Sequence, residues 1–404
     1  MPSNNFSDRC LLLRDLRSHC LLRRLHRLFR SNETKLHELR YLFWECTRRC
    51  NLRCLHCGSD CGSAPAAQDM PFNDFLRAIL PLKKLYKSGS ITVVITGGEP
   101  LLRQDLASCG RALREHGFPW GIVTNGYGYT PGVHSSLLAA GMGALSLSLD
   151  GLEESHNWLR ADKKSFERAV RALELIAPSK GLSYDVVTCV NRRNIHELPD
   201  LRDFLAAKKT KAWRLFTVAP IGRAAGNKDL ALNPEELKRL MDFIAASRGF
   251  TRGKTGSAGG ETAMDIKFGC EAYTGSYERR VRDSFFFCRA GINIASVLID
   301  GSISACPNIS RNFAQGNICH ENFLDVWNKR FEVMRDRVWM KTGLCGTCGD
   351  YKDCGGGAMH LWTEKRDGIM TCINQSLKLP ADDADKEGLC PCGPNKLRSL
   401  GTDP

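Results

Sequence analysis

The sequence has no uninterrupted apolar run near the roughly 18 residues that a membrane-spanning helix requires, which argues against a helical membrane protein. Its leucine-rich start is broken by Arg14, Arg17, Arg23 and Arg24, and no small-residue cleavage site follows, so no secretory signal is read there. Acidic residues are the scarcer charge: 44 Asp and Glu stand against 57 Lys and Arg, a formal net charge of +13. Such a balance suggests nucleic acid or an acidic partner. Much of it is local, because seven arginines fall between Arg9 and Arg30. With 43% hydrophobic and 25% charged residues the chain is not generally disordered, and its 404 residues are enough for two or three domains.

Cysteine is abundant, at 19 residues. With no export signal the expected compartment is the cytoplasm, where reducing conditions disfavour disulfides and clustered cysteines read as metal ligands. Cys10, Cys20, Cys109 and Cys189 stand apart from the clusters and read as small buried hydrophobes.

Residues 1–38 form a basic leader with Leu21, Leu25 and Leu28 at helical spacing. It reads as a helix that caps the next domain or contacts a membrane surface or partner. Residues 39–246 alternate strand and helix. Strands are expected at Tyr41–Thr47, Ile91–Thr96, Trp120–Thr124, Ala144–Asp150, Ser183–Val190 and Trp213–Val218, rich in the apolar residues of buried parallel strands. Helices are expected at Asn73–Lys87, Gln104–His116, Gly132–Ala140, Ser165–Ala177, Glu197–Ala207 and Pro234–Ala246. Six βα units imply an α/β fold built on a parallel sheet, an open or partial TIM-like barrel rather than a closed eight-fold one. Residues 247–269 read as a linker, 270–380 as a cysteine-rich, loop-dominated domain folded around metal, and 381–404 as a loose tail.

The first cysteine run follows the first strand: Cys46, Cys50, Cys54, Cys57 and Cys61. Only Cys50, Cys54 and Cys57 have the spacing C-x3-C-x2-C. Three thiolates in a short loop can hold three corners of a 4Fe–4S cubane and leave the fourth iron open. The rival is zinc, with Cys46 and Cys61 completing the ligand set. The segment Cys50-Asn-Leu-Arg-Cys54-Leu-His-Cys57 resembles the signature of radical S-adenosylmethionine (SAM) enzymes, with His56 where that family usually has an aromatic residue. Gly97-Gly98-Glu99-Pro100 resembles the family's loop for the SAM methionine amino group. Ser146 to Gly151 with His156 and Arg160 resembles its fourth-strand SAM segment, and Pro220 to Ala224 fits the same subgroup. The resemblance implies a 4Fe–4S cluster on Cys50, Cys54 and Cys57, and SAM contacts at Gly97, Gly98, Glu99, Asn125, Ser148, Asp150 and Arg160. These segments lie at predicted strand ends, where parallel barrels place their sites.

The later cysteines resemble a SPASM domain, the auxiliary-cluster extension of many peptide-modifying members of that family. By that resemblance Cys345, Cys348, Cys354 and Cys372 hold one auxiliary 4Fe–4S cluster, and Cys270, Cys288 and Cys306 contribute to another. Ala358 stands where the pattern has the cysteine that completes it. Three outcomes are open: an iron left free for substrate, substitution by a residue such as Cys319 or His360, or an absent cluster. A zinc ribbon is the bland alternative for this segment.

The resemblance implies reductive SAM cleavage to a 5′-deoxyadenosyl radical that abstracts hydrogen from a peptide or protein substrate. It also implies an external electron donor such as flavodoxin or ferredoxin. The leader followed by the core further resembles the radical SAM member of the bacterial radical SAM/lipoprotein system, which implies a small lipoprotein precursor as substrate and peripheral membrane contact by the leader. Competing readings are the same chemistry on a small molecule, a zinc-bearing nucleic-acid-binding protein and a non-catalytic electron carrier. The six βα units and the GGEP loop speak against nucleic acid. Asp150, His156 and Glu261 are candidate acid–base groups, and the sequence singles out none of them.

Overall fold

The computed structural model describes residues 6–62, 68–254 and 264–378; the expected tail, Glu261, Cys390 and Cys392 lie outside them. A helix α1 (Phe6–Leu36) leads into β1 (Tyr41–Thr47), and five further units follow. They are α2 (Phe72–Ile79), β2 (Thr92–Gly97), α3 (Leu106–Glu115), β3 (Trp120–Thr124), α4 (Pro131–Ala139), β4 (Met142–Ser148), α5 (Glu153–Arg160), α6 (Ser165–Ile176), β5 (Ser183–Val190), α7 (Leu198–Ala207), β6 (Ala212–Thr217) and α8 (Pro234–Lys254). Strands β1 to β6 pair in chain order, each parallel to the next. This is the expected partial barrel in a mixed α/β fold. Alternate strand residues such as Leu145, Leu147, Trp213 and Leu215 bury against the helices. Their neighbours Ser146, Ser148, Arg214 and Phe216 are half-buried on the opposite, concave face.

Local chemistry explains most boundaries. Pro81 has no N–H to donate, so α2 stops at Ile79 and tightens into a 3-10 turn over Leu80–Lys84 rather than reaching Lys87. Thr130 caps α4 by accepting from Val133 N (3.3 Å), with Pro131 at the first helical position. Asn233 and Glu236 cap α8 reciprocally, at 2.8 and 2.7 Å. The short α5 lies between β4 and α6, where the sequence pattern predicts no helix.

The expected linker 247–269 is the main revision. The backbone of α8 continues through Lys254, and β7 (Asp265–Phe268) then pairs parallel to β6. Four residues beside a Gly/Ser/Thr-rich stretch carry too little periodicity to announce a strand. Beyond it, β8 (Ile294–Val297) pairs parallel to β1, and β9 (Ser302–Ser304) and β10 (Gly316–Asn317) extend that edge antiparallel. Barrel and cysteine-rich segment thus share one ten-stranded sheet.

The leader helix also reaches the cysteine-rich segment far along the chain. Arg27 donates to the Asp353 carboxylate (2.7 Å), and Arg30 donates to the carbonyls of Asp353 (2.7 Å) and Lys352 (2.6 Å). Those carbonyls close the short helical turn Tyr351–Cys354, where a cation finds unpaired acceptors. Leu21, Leu25 and Leu28 remain 50–60% exposed. No helix among the described residues is long and apolar enough to cross a membrane.

Candidate functional site

The loop after β1 carries Cys50, Cys54 and Cys57 and is held from three sides. Leu55 N donates to Leu159 O of α5 (2.8 Å). Arg223, after β6, donates from Nε to the Cys54 carbonyl (2.8 Å) and from Nη1 to Asp60 (2.8 Å) and the Cys61 carbonyl (2.9 Å). Gly222 sits at φ +56°, and a Cβ there would lie 2.4 Å from the carbonyl oxygens of Cys57 and Gly58. The β2 loop closes the third side: Gly98 N donates to Thr47 O (2.8 Å) and Glu99 N to Arg49 O (2.9 Å). A Cβ on Gly97 or Gly98 would come within 2.2 Å of the Thr47 or Arg49 carbonyl oxygen, so the paired glycines permit this backbone approach.

Gly97, Gly98, Asn125, Ser148, Asp150 and Arg160 all line one cavity of about 670 Å³ together with Cys50, Cys54 and Cys57. Glu99 does not line it. Its buried carboxylate accepts from Thr124 Oγ1 (2.8 Å), Asn125 N (2.8 Å) and Leu101 N (3.1 Å), so it ties the ends of β2 and β3 together behind the cavity wall. Desolvation raises its pKa against those hydrogen bonds.

At the floor, Arg160 Nε donates to Asp150 Oδ2 (2.6 Å) and Arg160 Nη1 approaches Cys54 Sγ at 3.6 Å. Asp150 also accepts from Cys189 N (2.9 Å). Burial opposes the Asp150 charge, but Arg160, with His56, His156 and that backbone bond, holds its pKa at about 2. His156 Nδ1 accepts from Asp150 N (2.9 Å), and burial holds this imidazole neutral, at about 3. It therefore orients Asp150 and is not a proton donor at neutral pH. Cys189, read from sequence as a buried hydrophobe, lies on the same wall at the end of β5. Its strand position was legible; its convergence with Asp150 was not.

Cys46 is fully buried and absent from the cavity wall, whereas Cys61 lines it. A single zinc with bonds of about 2.3 Å would hold its thiolates about 3.8 Å apart. Among the described residues, only His56, Asp150 and Cys189 bring three candidate ligand atoms within 4.8 Å of one another. Among the described residues, no three of the cysteines are gathered for one ion.

The later cysteines divide between two places. Cys345, Cys348, Cys354 and Cys372 line a separate cavity of about 360 Å³. Burial and the neighbouring Cys372 and Cys345 push the Cys354 thiol up to about 12. Cys270, Cys288 and Cys306 are distant from the SAM-type loops in sequence but line the same large cavity. Burial, with Cys270 and Cys288 adding, pushes Cys306 up to about 12. Thiols crowded in this way become good ligands once a cationic centre displaces their protons. Ala358 is fully buried and lines neither cavity. Cys319 is exposed and lines neither. His360 lines the large one.

A partial parallel barrel with three loop cysteines at one cavity, extended by a cysteine-rich sheet edge, is the arrangement that the sequence resemblance implies. The radical SAM superfamily matches residues 44–205, and an iron-sulfur cluster-binding domain, SPASM, matches residues 288–354. The AdoMet-dependent heme synthase of Nitratidesulfovibrio vulgaris is 24% identical over 88% of this chain and 92% of its own length. The mycofactocin maturase MftC of Mycolicibacterium smegmatis is 29% identical over 79% of this chain and 77% of its own. Among solved structures, anSMEcpe with bound AdoMet and a Cp18Cys peptide superposes with a TM-score of 0.64 at 18% identity, covering 84% of this chain and 95% of that one. The chain carries a radical SAM domain followed by a SPASM domain. The first domain implies a 4Fe–4S cluster and SAM, the second auxiliary iron–sulphur clusters.

Proposed function

We propose that this radical SAM enzyme abstracts hydrogen from a peptide or protein substrate held in the large cavity, with a small lipoprotein precursor as the natural substrate. The observation that carries this reading is the single cavity of about 670 Å³ whose wall includes both Cys50, Cys54 and Cys57 and Cys270, Cys288 and Cys306. A substrate there would lie between a radical source and an electron acceptor. The solved relative with a bound Cp18Cys peptide supports a peptide as the substrate class.

Cys50, Cys54 and Cys57 would hold the cluster, and Gly97, Gly98, Asn125, Ser148, Asp150 and Arg160 would hold SAM. When bound, cluster and SAM supply a 5′-deoxyadenosyl radical by one-electron cleavage of the sulfonium, the electron coming from a donor such as flavodoxin or ferredoxin. The chain's own residues do the positioning. Arg160 places positive charge beside the Cys54 thiolate and is itself fixed by Asp150. Gly97 and Gly98 let backbone approach the cofactor closely, and Arg223 locks the cysteine loop. Phe216, Phe286 and Phe287 line the cavity and limit water around a radical.

A small-molecule substrate is the second reading, favoured by the heme synthase relative that spans 88% of this chain. One experiment separates the two. Anaerobically reconstituted enzyme, SAM and dithionite are incubated with a co-expressed lipoprotein precursor or with an iron porphyrin. 5′-Deoxyadenosine released with a matching mass change in the precursor supports the first reading. Turnover with the porphyrin alone replaces it with the second.

A further inference from the structure

We propose that His360 is the fourth ligand of the auxiliary cluster at Cys270, Cys288 and Cys306, making it a three-cysteine, one-histidine 4Fe–4S centre. The proposal rests on reading those three cysteines as a cluster site. The fourth position cannot come from Ala358, whose side chain offers no ligand and which is fully buried away from the cavity wall. Cys319 is absent from that wall and placed against the Gly301 turn, where a Cβ on Gly301 would meet its sulphur at 3.0 Å.

His360 is two residues beyond Ala358 and does line the wall, in company with Cys306 and Met359. A single 3-10 turn, Met359–Leu361, presents it, with Leu361 N donating to Ala358 O (3.1 Å) and Trp362 N to Met359 O (3.2 Å). The turn is anchored from behind by Trp362 Nε1, which donates to Gly356 O (2.7 Å). Met359 and Leu361 are buried on either side of the half-buried His360, and Met359 shares the cavity wall with it. No hydrogen bond or ion pair from the His360 ring is formed among the described residues. A half-buried imidazole without a partner, on the wall that holds three thiols, is suited to a metal ligand. Replacing a thiolate by a neutral imidazole removes one negative charge and raises the reduction potential. This centre would then accept electrons more readily than its all-cysteine neighbour at Cys345, Cys348, Cys354 and Cys372.

The test uses the full chain, grown with ¹⁵N-histidine, reconstituted anaerobically and partly reduced in the absence of SAM, whose amino group would itself couple to iron. Pulsed EPR of the wild type should show a strongly coupled histidine nitrogen. His360→Ala should abolish it and lose about one iron per chain or more. His360→Cys should keep the wild-type iron content, show no histidine coupling and lower the midpoint potential of that cluster. A wild type without the coupling overturns the proposal. In that case Cys306→Ala locates the error: loss of about four irons means that only the ligand assignment fails, and unchanged iron means that no cluster occupies this wall.

Discussion

The two auxiliary cysteine groups differ in number and in outlook. Cys345, Cys348, Cys354 and Cys372 are four, and they line a cavity of their own. Cys270, Cys288 and Cys306 are three, and they share the cavity of Cys50, Cys54 and Cys57. A four-thiolate set with its own cavity suits a conducting cluster, because no iron is left for chemistry. A three-thiolate set facing the reaction cavity suits a tuned or substrate-facing one. The same contrast separates the supports. The four-cysteine group is braced by the leader through Arg27 and Arg30 on the Asp353 turn. The three-cysteine group sits in loops at the two edges of the shared sheet: Cys270 follows β7, Cys288 precedes β8 and Cys306 follows β9.

The largest expected effect comes from Cys50→Ala/Cys54→Ala/Cys57→Ala. Iron should fall by about four from about twelve per chain and 5′-deoxyadenosine formation should cease, while the auxiliary iron stays. Iron and acid-labile sulphide analysis reads both halves of the contrast at once. A wild type holding only about eight irons would mean that the three-cysteine wall is empty.

Arg160→Ala should come next, since it leaves the buried Asp150 carboxylate unpaired at a cost of about 3–5 kcal/mol. Thermal unfolding against pH checks the sign. The folded pKa of Asp150, about 2, lies below its ordinary value of 3.8, so its pairing stabilises the wild type fully above pH 4. That stability is lost as pH falls from about 4 towards 2, and Asp150→Asn/Arg160→Ala should lose less over the same window.

Gly222→Ala should be milder for the fold and damaging for the first cluster. It places a Cβ against Cys57 O at a φ of +56°, costing about 1–3 kcal/mol. Reconstituted iron should drop at the catalytic loop with the auxiliary signals unchanged. The smallest effect is Arg30→Ala, about 1–2 kcal/mol for two lost backbone hydrogen bonds. It should broaden the EPR signal of the four-cysteine cluster alone, because Cys354 follows directly on the carbonyls that Arg30 holds. Broadening of the other auxiliary signal would dissolve the distinction between the two supports.

Much of this molecule could be read before its fold was known. Six strands recur with parallel-type apolar runs, and helix starts are marked by Pro131 and by Asn233 with Pro234, because local propensity and capping act over a few residues. The triplet Cys50, Cys54 and Cys57 is a local spacing, and so is the GGEP loop. Ala358 is likewise legible by identity, standing where the SPASM pattern has a cysteine.

Other features needed the folded chain. β7 is too short and too closely flanked by Gly and Ser for its pattern to register, and β8 joins β1 across about 250 residues of sequence. That the Glu99 carboxylate accepts from Thr124 and Asn125, and so joins the ends of β2 and β3, is a tertiary fact with no local signal. The leader's arginines gave a charge count but no address, since Asp353 lies more than 320 residues away. By itself the sequence determined the chemistry, because ligand type and loop spacing are carried by neighbouring residues. Only the tertiary structure decided which groups share a cavity, because convergence depends on strand order and on which side of each loop faces inward.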